Sequence, residues 1–196
     1  MSVETAPTRI RFVLVGTQHP GNIGSAARAI KTMGLSRLVL VAPEKAPNAE
    51  SYSLAAGADD VLAAAVTHAT LAEAVADCHF VLGCTARSRR VALDELMPAD
   101  AAARAVARAT EGGEVALVFG RERTGLDNDE LQLCHAAVHI PANPEYSSLN
   151  LAMAVQVLSY ELRLALLGRA GSAPAAAATV ATPAPTCVTL ISVPIS

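Results

Sequence analysis

The chain has 196 residues and a mass of 20.1 kDa, with 52% hydrophobic residues, 17% charged residues and a mean hydropathy of +0.37. This composition excludes a wholly disordered protein and suits one domain followed by a tail. Aromatic residues make up 3% and the formal net charge is −3, which argues against rows of base-stacking aromatics and against nonspecific binding of polyanions. The negative net charge does not exclude a local basic patch that binds RNA.

Short apolar runs alternate with helical patterns along the chain. The predicted strands are residues 11–16, 37–42, 79–83, 114–120 and 136–140, and the predicted helices are residues 22–33, 71–77, 98–110 and 149–167. Each strand is apolar on both faces, which predicts an α/β fold with a mostly parallel sheet and helices on both sides. The predicted organisation is an N-terminal arm over residues 1–8, a folded domain over 9–167, and a low-complexity, disordered tail over 168–196.

The cysteines and the N-terminus indicate the compartment. The four cysteines, Cys78, Cys84, Cys134 and Cys187, form no C-x-x-C pair, metal spacing or disulfide framework. We therefore expect reduced thiols, no bound metal and a cytoplasmic protein. The first residues lack the pattern of a secretory signal, and no apolar run reaches the ~18 residues of a membrane span.

Ligands of parallel α/β proteins bind beyond the carboxyl ends of the strands, so the segments that follow the strands are the candidate sites. In the first, residues 17–28, Gly21 and Gly24 admit a close backbone or phosphate, and Arg28 shares a helix face with Gly24. The alternative is a glycine-rich turn followed by a surface arginine. His19 is the histidine inside this segment, whereas His79 and His139 are predicted to lie within strands.

Positive charge collects in the candidate segments although the net charge is negative. Seven of the 15 lysine and arginine residues lie in or just after the segments that follow the strands: Arg28, Lys31, Arg87, Arg89, Arg90, Arg121 and Arg123. A solvated loop would account for the three arginines of residues 83–90, but the clustering favours an anionic partner.

Residues 119–131 and 140–150 hold the remaining candidates. Glu122 stands between Arg121 and Arg123, which predicts a lowered pKa and an orienting role, and Asp127 is predicted to cap a helix that begins at Asp129. Ser147, Ser148 and Asn150 stand at the start of the long helix. Ser148 is predicted either to cap this helix or to contact a ligand. The motifs of serine hydrolases and of dinucleotide-binding folds are absent from the sequence.

Taken together, the four segments resemble the motifs of the SpoU/TrmH group of SPOUT RNA ribose methyltransferases. The resemblance spans residues 9–167 and rests on GNIGSAARAIKTMGL (21–35), GCTARSR (83–89), VFGRERTGLDNDEL (118–131) and IPANPEYSSLNLAMAVQVLSYE (140–161). It implies a C-terminal trefoil knot and a homodimer with sites near its interface. Within the group, the chain resembles the bacterial enzymes that methylate cytidine or uridine at position 32 of the tRNA anticodon loop.

The resemblance also implies S-adenosylmethionine as the methyl donor, with no metal. Matching positions assign its contacts to Cys84, Thr85, Ala86, Gly120, Ile140, Ser147, Ser148 and Leu149. Cys84 stands where a small hydroxyl residue is expected, which is harmless if the contact uses the backbone.

The matching catalytic positions are Asn22, Arg28, Glu122, Ser148 and Asn150. The family proposal makes Arg28 the base that activates the ribose hydroxyl. Because arginine side chains stay protonated in proteins, the alternative is that Arg28 clamps a phosphate and stabilises the developing alkoxide. Asn22 would orient Arg28, Glu122 and Asn150 would hold the loops, and Ser148 would bridge donor and acceptor.

Other readings remain open at this point. The alternatives are ribosomal RNA instead of tRNA as the acceptor, an inactive RNA-binding module, and a small-molecule-binding protein with an anion site. The tRNA enzymes that this chain resembles carry a further C-terminal extension after the catalytic domain. From Gly168 onward this chain instead has a low-complexity composition.

Overall fold

The computed structural model describes residues 3–85 and 93–168, which form one seven-stranded sheet with helices on both faces. The strands are β1 Ile10–Val15, β2 Arg37–Val41, β3 Val66–His68, β4 Phe80–Cys84, β5 Asp94–Leu96, β6 Val115–Phe119 and β7 Ala136–Val138. The helices are α1 Pro20–Thr32, α2 Ala49–Ala55, α3 Asp59–Ala63, α4 Leu71–Val75, α5 Pro98–Thr110, α6 Asn128–Gln132 and α7 Leu151–Leu166, after a 3-10 helix over Val3–Arg9.

The sheet has the order β3-β2-β1-β6-β4-β7-β5, and every neighbouring pair is parallel. The predicted α/β fold with a parallel sheet is therefore confirmed. Because all strands point the same way, their carboxyl ends meet at one edge, where ligands of such folds bind. The trefoil knot stays a prediction, and residues 86–92 lie outside the described residues. The predicted tail lies outside them as well, from residue 169 onward.

Alternate residues of the central strands feed two cores. Phe12 and Phe119 stack at a ring-centroid distance of 6.2 Å on the face covered by α1, α2, α3, α5 and α7. Val13 and Val118 point to the opposite face, where α4 and α6 pack. Both faces of each strand are thus buried, which explains why these strands read as continuous apolar runs. The expected helices on both sides are confirmed.

Two short edge strands escaped the sequence analysis. β3 contains a single large apolar residue, Val66, and its side chain is exposed. β5 begins with Asp94 and Glu95, both exposed. Three residues with at most one buried position carry no detectable period, so only their pairing with β2 and β7 reveals these strands.

The two histidines predicted inside strands lie just outside them. His79 precedes β4, is exposed, and accepts a hydrogen bond at Nδ1 from the Glu114 amide at 3.2 Å. His139 follows β7, and its amide donates to the Leu96 carbonyl. The predicted strands 37–42, 114–120 and 136–140 are one or two residues longer than β2, β6 and β7, whereas 11–16 and 79–83 have the lengths of β1 and β4 but are displaced by one residue.

An ionic cluster joins the starting ends of β1, β2 and β6. The Arg11 guanidinium, 7% exposed, donates to Asp77 at 2.6 and 2.8 Å and to Glu114 at 3.0 Å, and Arg37 also pairs with Glu114. The hydrogen bond from Arg11 lowers the pKa of Asp77. Burial would raise the pKa of Glu114, but hydrogen bonds from Arg37 and Arg11 outweigh it and lower the value. This cluster lies at the sheet edge opposite the strand carboxyl ends.

Within residues 3–85 and 93–168, no helix combines the length and apolarity that crossing a bilayer requires.

Candidate functional site

A cavity of about 520 Å³ lies at the carboxyl ends of β4 and β6. Its volume suits a small-molecule ligand. Cys84 and Phe119 end those two strands, and the loop after β6, Gly120 to Gly125, supplies one wall. The opposite side comes from the segment before α7 and from the first turn of that helix. The cavity contains all the expected donor contacts that the structure describes: Cys84, Thr85, Gly120, Ile140, Ser147, Ser148 and Leu149. Ala86 lies outside the described residues.

Gly120 is a glycine because the backbone of its own loop occupies the space of a side chain. A Cβ at Gly120 would overlap the Gly125 carbonyl and the Leu126 amide. The Arg121 and Gly125 backbones exchange hydrogen bonds of 3.3 and 2.8 Å, which close the loop into a tight turn. Gly125 adopts a φ of +69° there, in the left-handed region that favours glycine. The cavity wall therefore has a defined shape.

Cys84 and Thr85 line the cavity from the end of β4 and the residue that follows it. The Thr85 amide donates to the Val138 carbonyl at 3.0 Å, which ties this segment to β7. Burial raises the pKa of the Cys84 thiol well above its usual range, so the side chain stays neutral. A small neutral thiol at this place is compatible with a ligand contact through the backbone.

Glu122 turns out of the loop toward the start of α1. Its carboxylate accepts hydrogen bonds from the amides of Gln18 at 3.0 Å and His19 at 3.3 Å, and from the Asn22 side chain at 2.9 Å. Burial would raise the pKa of Glu122, but these hydrogen bonds outweigh it and lower the value. The predicted direction is confirmed. The predicted cause is wrong, because Arg121 pairs with Glu130 and not with Glu122.

Asn150 connects this carboxylate to α7. The Asn150 side chain donates to the Asn22 side-chain oxygen at 3.0 Å and accepts from the Ala152 amide at 2.9 Å. It is thus the N-terminal cap of α7. Three of the expected catalytic residues, Asn22, Glu122 and Asn150, form one chain of hydrogen bonds between α1, the loop after β6 and α7.

The predicted cap of α7 by Ser148 is wrong. The helix begins at Leu151, two residues later than predicted, so Asn150 takes the capping position. Ser147 and Ser148 precede it, are exposed and line the cavity. The cap of α6 follows the prediction, since the Asp127 side chain accepts from the Glu130 amide at 2.8 Å.

The glycines of α1 serve helix packing. A Cβ at Gly24 would overlap the Ser51 carbonyl of α2, and one at Gly21 would meet the side-chain ends of Glu50 and Leu54. The backbone that approaches these glycines closely, as the sequence allowed, is therefore that of α2. The amides of Gln18 and His19, just before α1, bind the Glu122 carboxylate, a negative charge that the helix N-terminus stabilises.

Arg28 is exposed on α1 and does not line the cavity. Its guanidinium has no hydrogen-bond or ion-pair partner in the part of the chain that the structure describes. The expected contact with Asn22 is absent there too, since the Asn22 side chain is engaged by Glu122 and Asn150.

The expected RNA contacts divide into engaged and available cations. Lys31 pairs with Asp60 at 2.7 Å, and Arg121 is bound by both oxygens of Glu130. Arg123 is exposed at the cavity mouth and, over residues 3–85 and 93–168, has no side-chain partner. The calls at Arg87, Arg89 and Arg90 lie outside the described residues.

Sequence analysis missed several residues of this site. The amides of Gln18 and His19 were overlooked because a backbone donor leaves no trace in residue type. Leu151 and Ala154 line the cavity from the first turn of α7, yet the sequence shows them as ordinary core positions. Among the described residues, no group of three or more histidine, cysteine or acidic side chains could hold a metal ion.

Comparison with known proteins identifies the family. The model of the SpoU rRNA Methylase family matches residues 9–160, which include α1, the loop after β6 and most of α7. The chain belongs to the SpoU family. It is 55% identical over 163 residues to the tRNA (cytidine/uridine/adenosine-2′-O-)-methyltransferase TrmJ of Pseudomonas aeruginosa (strain UCBPP-PA14).

Solved structures agree with this assignment to the SpoU family. A probable methylase family protein from Haemophilus influenzae Rd KW20 is similar with a TM-score of 0.78 and 52% identity, over 82% of this chain and 67% of that one. TrmJ from Z. mobilis ZM4 is similar with a TM-score of 0.75 and 43% identity, over 78% of this chain and 67% of that one. The SpoU methyltransferase AviRb from Streptomyces viridochromogenes, solved with AdoMet, shares the fold with a TM-score of 0.64 and 23% identity.

The alignment with the P. aeruginosa TrmJ covers 83% of this chain and 63% of that protein. The chain thus spans a little less than two thirds of the length of the curated relative it matches.

Proposed function

We propose that the chain is an S-adenosylmethionine-dependent methyltransferase that acts on the ribose 2′-hydroxyl of tRNA, at cytidine or uridine 32 of the anticodon loop. The observation that carries the proposal is the cavity at the strand ends, which is lined by every expected donor contact that the structure describes. The names of relatives support tRNA as the acceptor and the 2′-oxygen as the methylated atom. A 2′-hydroxyl acceptor means RNA and not DNA. The proposed location is the cytoplasm.

The cavity has the properties that this donor requires. About 520 Å³ accommodates a nucleoside with an amino-acid chain, and the walls offer backbone groups and hydroxyls that suit a polar, zwitterionic molecule. Gly120, Cys84, Thr85, Ile140, Ser147, Ser148 and Leu149 would hold it. When bound, the donor supplies a methyl group on a sulfonium, which is electrophilic without a metal.

The protein residues contribute by positioning. The Glu122–Asn22–Asn150 chain fixes α1 against the loop after β6 and the start of α7, so that the acceptor and donor surfaces keep one geometry. Correct orientation of two reactants accounts for a large part of an enzymatic rate gain. Ser148, exposed on the cavity wall, would contact the acceptor ribose as well as the donor.

Arg28 is proposed as the residue that stabilises the developing alkoxide. Its exposed guanidinium is available to a phosphate beside the acceptor ribose, and arginine stays protonated in proteins. A fixed positive charge near the 2′-oxygen favours loss of its proton to solvent. Arg28 would thus bind the phosphate backbone of the RNA and activate the ribose 2′-hydroxyl.

A homodimer is proposed from the exposed face of α7. Met153 and Tyr160 are 61% and 49% exposed, and Leu167, directly after the helix, is 50% exposed. They are spaced seven residues apart, so they form one apolar stripe. Exposed apolar stripes of this kind mark protein interfaces. With the proposed knot, the cavity would lie close to this interface, because the first turn of α7 forms part of the cavity wall.

The deciding experiment measures methyl transfer to unmodified bulk tRNA and, separately, to unmethylated ribosomal RNA. Nucleosides from the digested RNA are analysed by mass spectrometry. We expect 2′-O-methylcytidine or 2′-O-methyluridine from tRNA, and mapping should place it at position 32. Methylation of ribosomal RNA alone would refute the proposed acceptor. Absence of methylated ribose in both would refute catalysis and favour an RNA-binding protein.

A further inference from the structure

Arg121 and Glu130 form the most enclosed ion pair near the cavity. The two terminal nitrogens of Arg121 each donate to a different oxygen of Glu130, both at 3.0 Å. The Glu130 side chain is 12% exposed and the Arg121 side chain 35%. A bidentate pair of this kind fixes the orientation of both side chains as well as their distance.

Glu130 is held in place by a second set of contacts. One of its carboxylate oxygens also accepts from the Asp127 amide at 2.8 Å, while Asp127 accepts from the Glu130 amide. This reciprocal capping box starts α6. Arg121 is therefore attached to a carboxylate that the start of a helix orients.

The stem of Arg121 lies across the end of β1. A Cβ at Gly16 would come within 2.8 Å of Arg121 Nε and 2.9 Å of Arg121 Cγ. Gly16 adopts a φ of +58°, which a side chain would strain. The absence of a side chain at Gly16 gives Arg121 its path to Glu130, so one arginine connects β1, the loop after β6 and α6.

We propose that Arg121 is a positioning residue, held by Glu130, which fixes the loop Gly120 to Gly125 and thereby the donor cavity and Glu122. The proposal rests on the proposed function, because it assumes that the methyl donor occupies this cavity. It removes Arg121 from the RNA contacts and assigns the phosphate contact of this loop to Arg123. Withdrawing Arg121 to reach RNA would leave the enclosed Glu130 carboxylate without its cation, which is costly. Arg123 is exposed, and the described residues give its side chain no partner to abandon.

Two matched substitutions separate these roles. Arg121→Met keeps the stem over Gly16 but removes the ion pair, and Arg123→Met removes the neighbouring charge two residues away. We expect Arg121→Met to weaken binding of S-adenosylhomocysteine, measured by titration calorimetry, by tenfold or more. We expect Arg123→Met to change that affinity by less than threefold.

RNA affinity measured against salt concentration provides the opposite contrast. Each lost phosphate contact reduces the slope of log K against log salt by about 0.7 to 0.9. Arg123→Met should show that reduction with unmodified tRNA, and Arg121→Met should keep the slope of the wild-type chain. Arg108→Met, on the exposed side of α5, is the control for which both quantities stay unchanged.

Conservative variants distinguish positioning from general loss of structure. Arg121→Lys retains one charged bond to Glu130 and should restore part of the donor affinity. Glu130→Gln keeps an acceptor for the Asp127 amide but loses the charge, and should behave like Arg121→Met. Thermal unfolding of every variant verifies that it is folded under the binding conditions.

Hydrogen exchange of the ligand-free chain tests the inference independently of the donor. Peptides that contain residues 16–22 and 120–127 should exchange faster in Arg121→Met and Glu130→Gln than in Arg123→Met. Unchanged exchange, wild-type donor affinity in Arg121→Met, or a reduced salt slope in that variant would overturn the inference. A wild-type chain that does not bind S-adenosylhomocysteine would instead refute the proposed function, and the exchange rates would still decide the role of Arg121.

Discussion

At the scale of single residues, the carboxylate of Glu122 is stabilised by hydrogen bonds from neutral donors. Two backbone amides and the Asn22 side chain surround it, although two arginines flank it in sequence. Neighbours in a turn point in different directions, so adjacency in sequence did not produce an ion pair. The charge of Glu122 consequently depends on α1 and α7 being in place.

Replacing Glu122 by Gln should destabilise the protein in a pH-dependent way. Its pKa in the folded chain lies below the value of about 4.3 for an unfolded glutamate, so its contribution is complete above that value and disappears as the pH falls through the folded pKa. We expect Glu122→Gln to lower the free energy of unfolding by about 1 to 3 kcal/mol at pH 7.

Urea denaturation at pH values from 7 to 3 measures that difference. It should shrink as the pH falls below about 4.3, where the unfolded chain begins to take up a proton, and vanish once the pH passes the lowered pKa of the folded carboxylate. Glu111→Gln, at a residue exposed at the end of α5, is the control with little effect. A difference that is constant over this pH range would contradict the role given to the carboxylate charge.

Arg28 allows a second test at this scale. We expect Arg28→Ala to reduce the single-turnover rate of methyl transfer by about 100-fold or more, because it removes the charge that stabilises the alkoxide. Affinity for S-adenosylhomocysteine should change by less than threefold, since Arg28 does not line the cavity. Arg104→Ala on the exposed side of α5 is the matched control and should keep the full rate. An unchanged rate in Arg28→Ala would refute the catalytic role.

At the scale of secondary-structure elements, the packing of α1 against α2 positions the residues that hold Glu122. Gly24 lies against the backbone carbonyl of Ser51. The side-chain hydroxyl of Ser51 also donates a hydrogen bond to the Pro20 carbonyl at 2.8 Å. The separation between these helices is therefore set by a residue without a side chain. Asn22 lies between Gly21 and Gly24 in the sequence, so the contact between α1 and α2 fixes its position.

Substituting alanine at the two glycines of α1 should give opposite results. Gly24→Ala places a Cβ into the Ser51 backbone and should destabilise the protein by about 1 to 3 kcal/mol. Gly21→Ala meets only the movable ends of Glu50 and Leu54, so the better helix propensity of alanine, about 1 kcal/mol, should offset or exceed the cost. Thermal denaturation compares the two variants, and equal effects would contradict this account of α1 and α2.

At the scale of the whole molecule, an ionic cluster and the candidate donor cavity lie at opposite ends of the strands of one sheet. The Arg11–Asp77–Glu114 cluster closes the end where the strands begin, and the cavity opens where β4 and β6 end. α7 covers one face of the sheet, contributes its first turn to the cavity and exposes an apolar stripe. A partner on that stripe would therefore influence the cavity through α7 itself.

Charges on this stripe should prevent the proposed dimer. We expect the double variant Met153→Lys/Tyr160→Lys to sediment as a monomer, because an interface cannot bury two unpaired ammonium groups. Val66→Lys introduces a lysine at another exposed apolar position, on the edge strand β3, and should remain dimeric. Analytical ultracentrifugation gives the masses. A double variant that remains dimeric would place the interface elsewhere.

Much of this protein is predictable from residue patterns alone. Strands such as β1 and β6 are buried on both faces, so their apolar runs stand out, and Pro98 and Asp127 mark helix starts through local backbone chemistry. The positions of Gly120, Glu122 and Asn150 were singled out by the resemblance to the SpoU/TrmH group and not by the local pattern alone.

Partnerships across the chain needed the folded structure. Glu122 meets Asn22 across 100 positions, and Asn22 meets Asn150 across 128 positions. Nothing in the local sequence explains why Arg121 pairs with Glu130 while the described residues give the side chain of Arg123 no partner. Local interactions specify which elements form, whereas the pairing of side chains depends on how those elements pack, since a hydrogen bond is set by distance and direction in space.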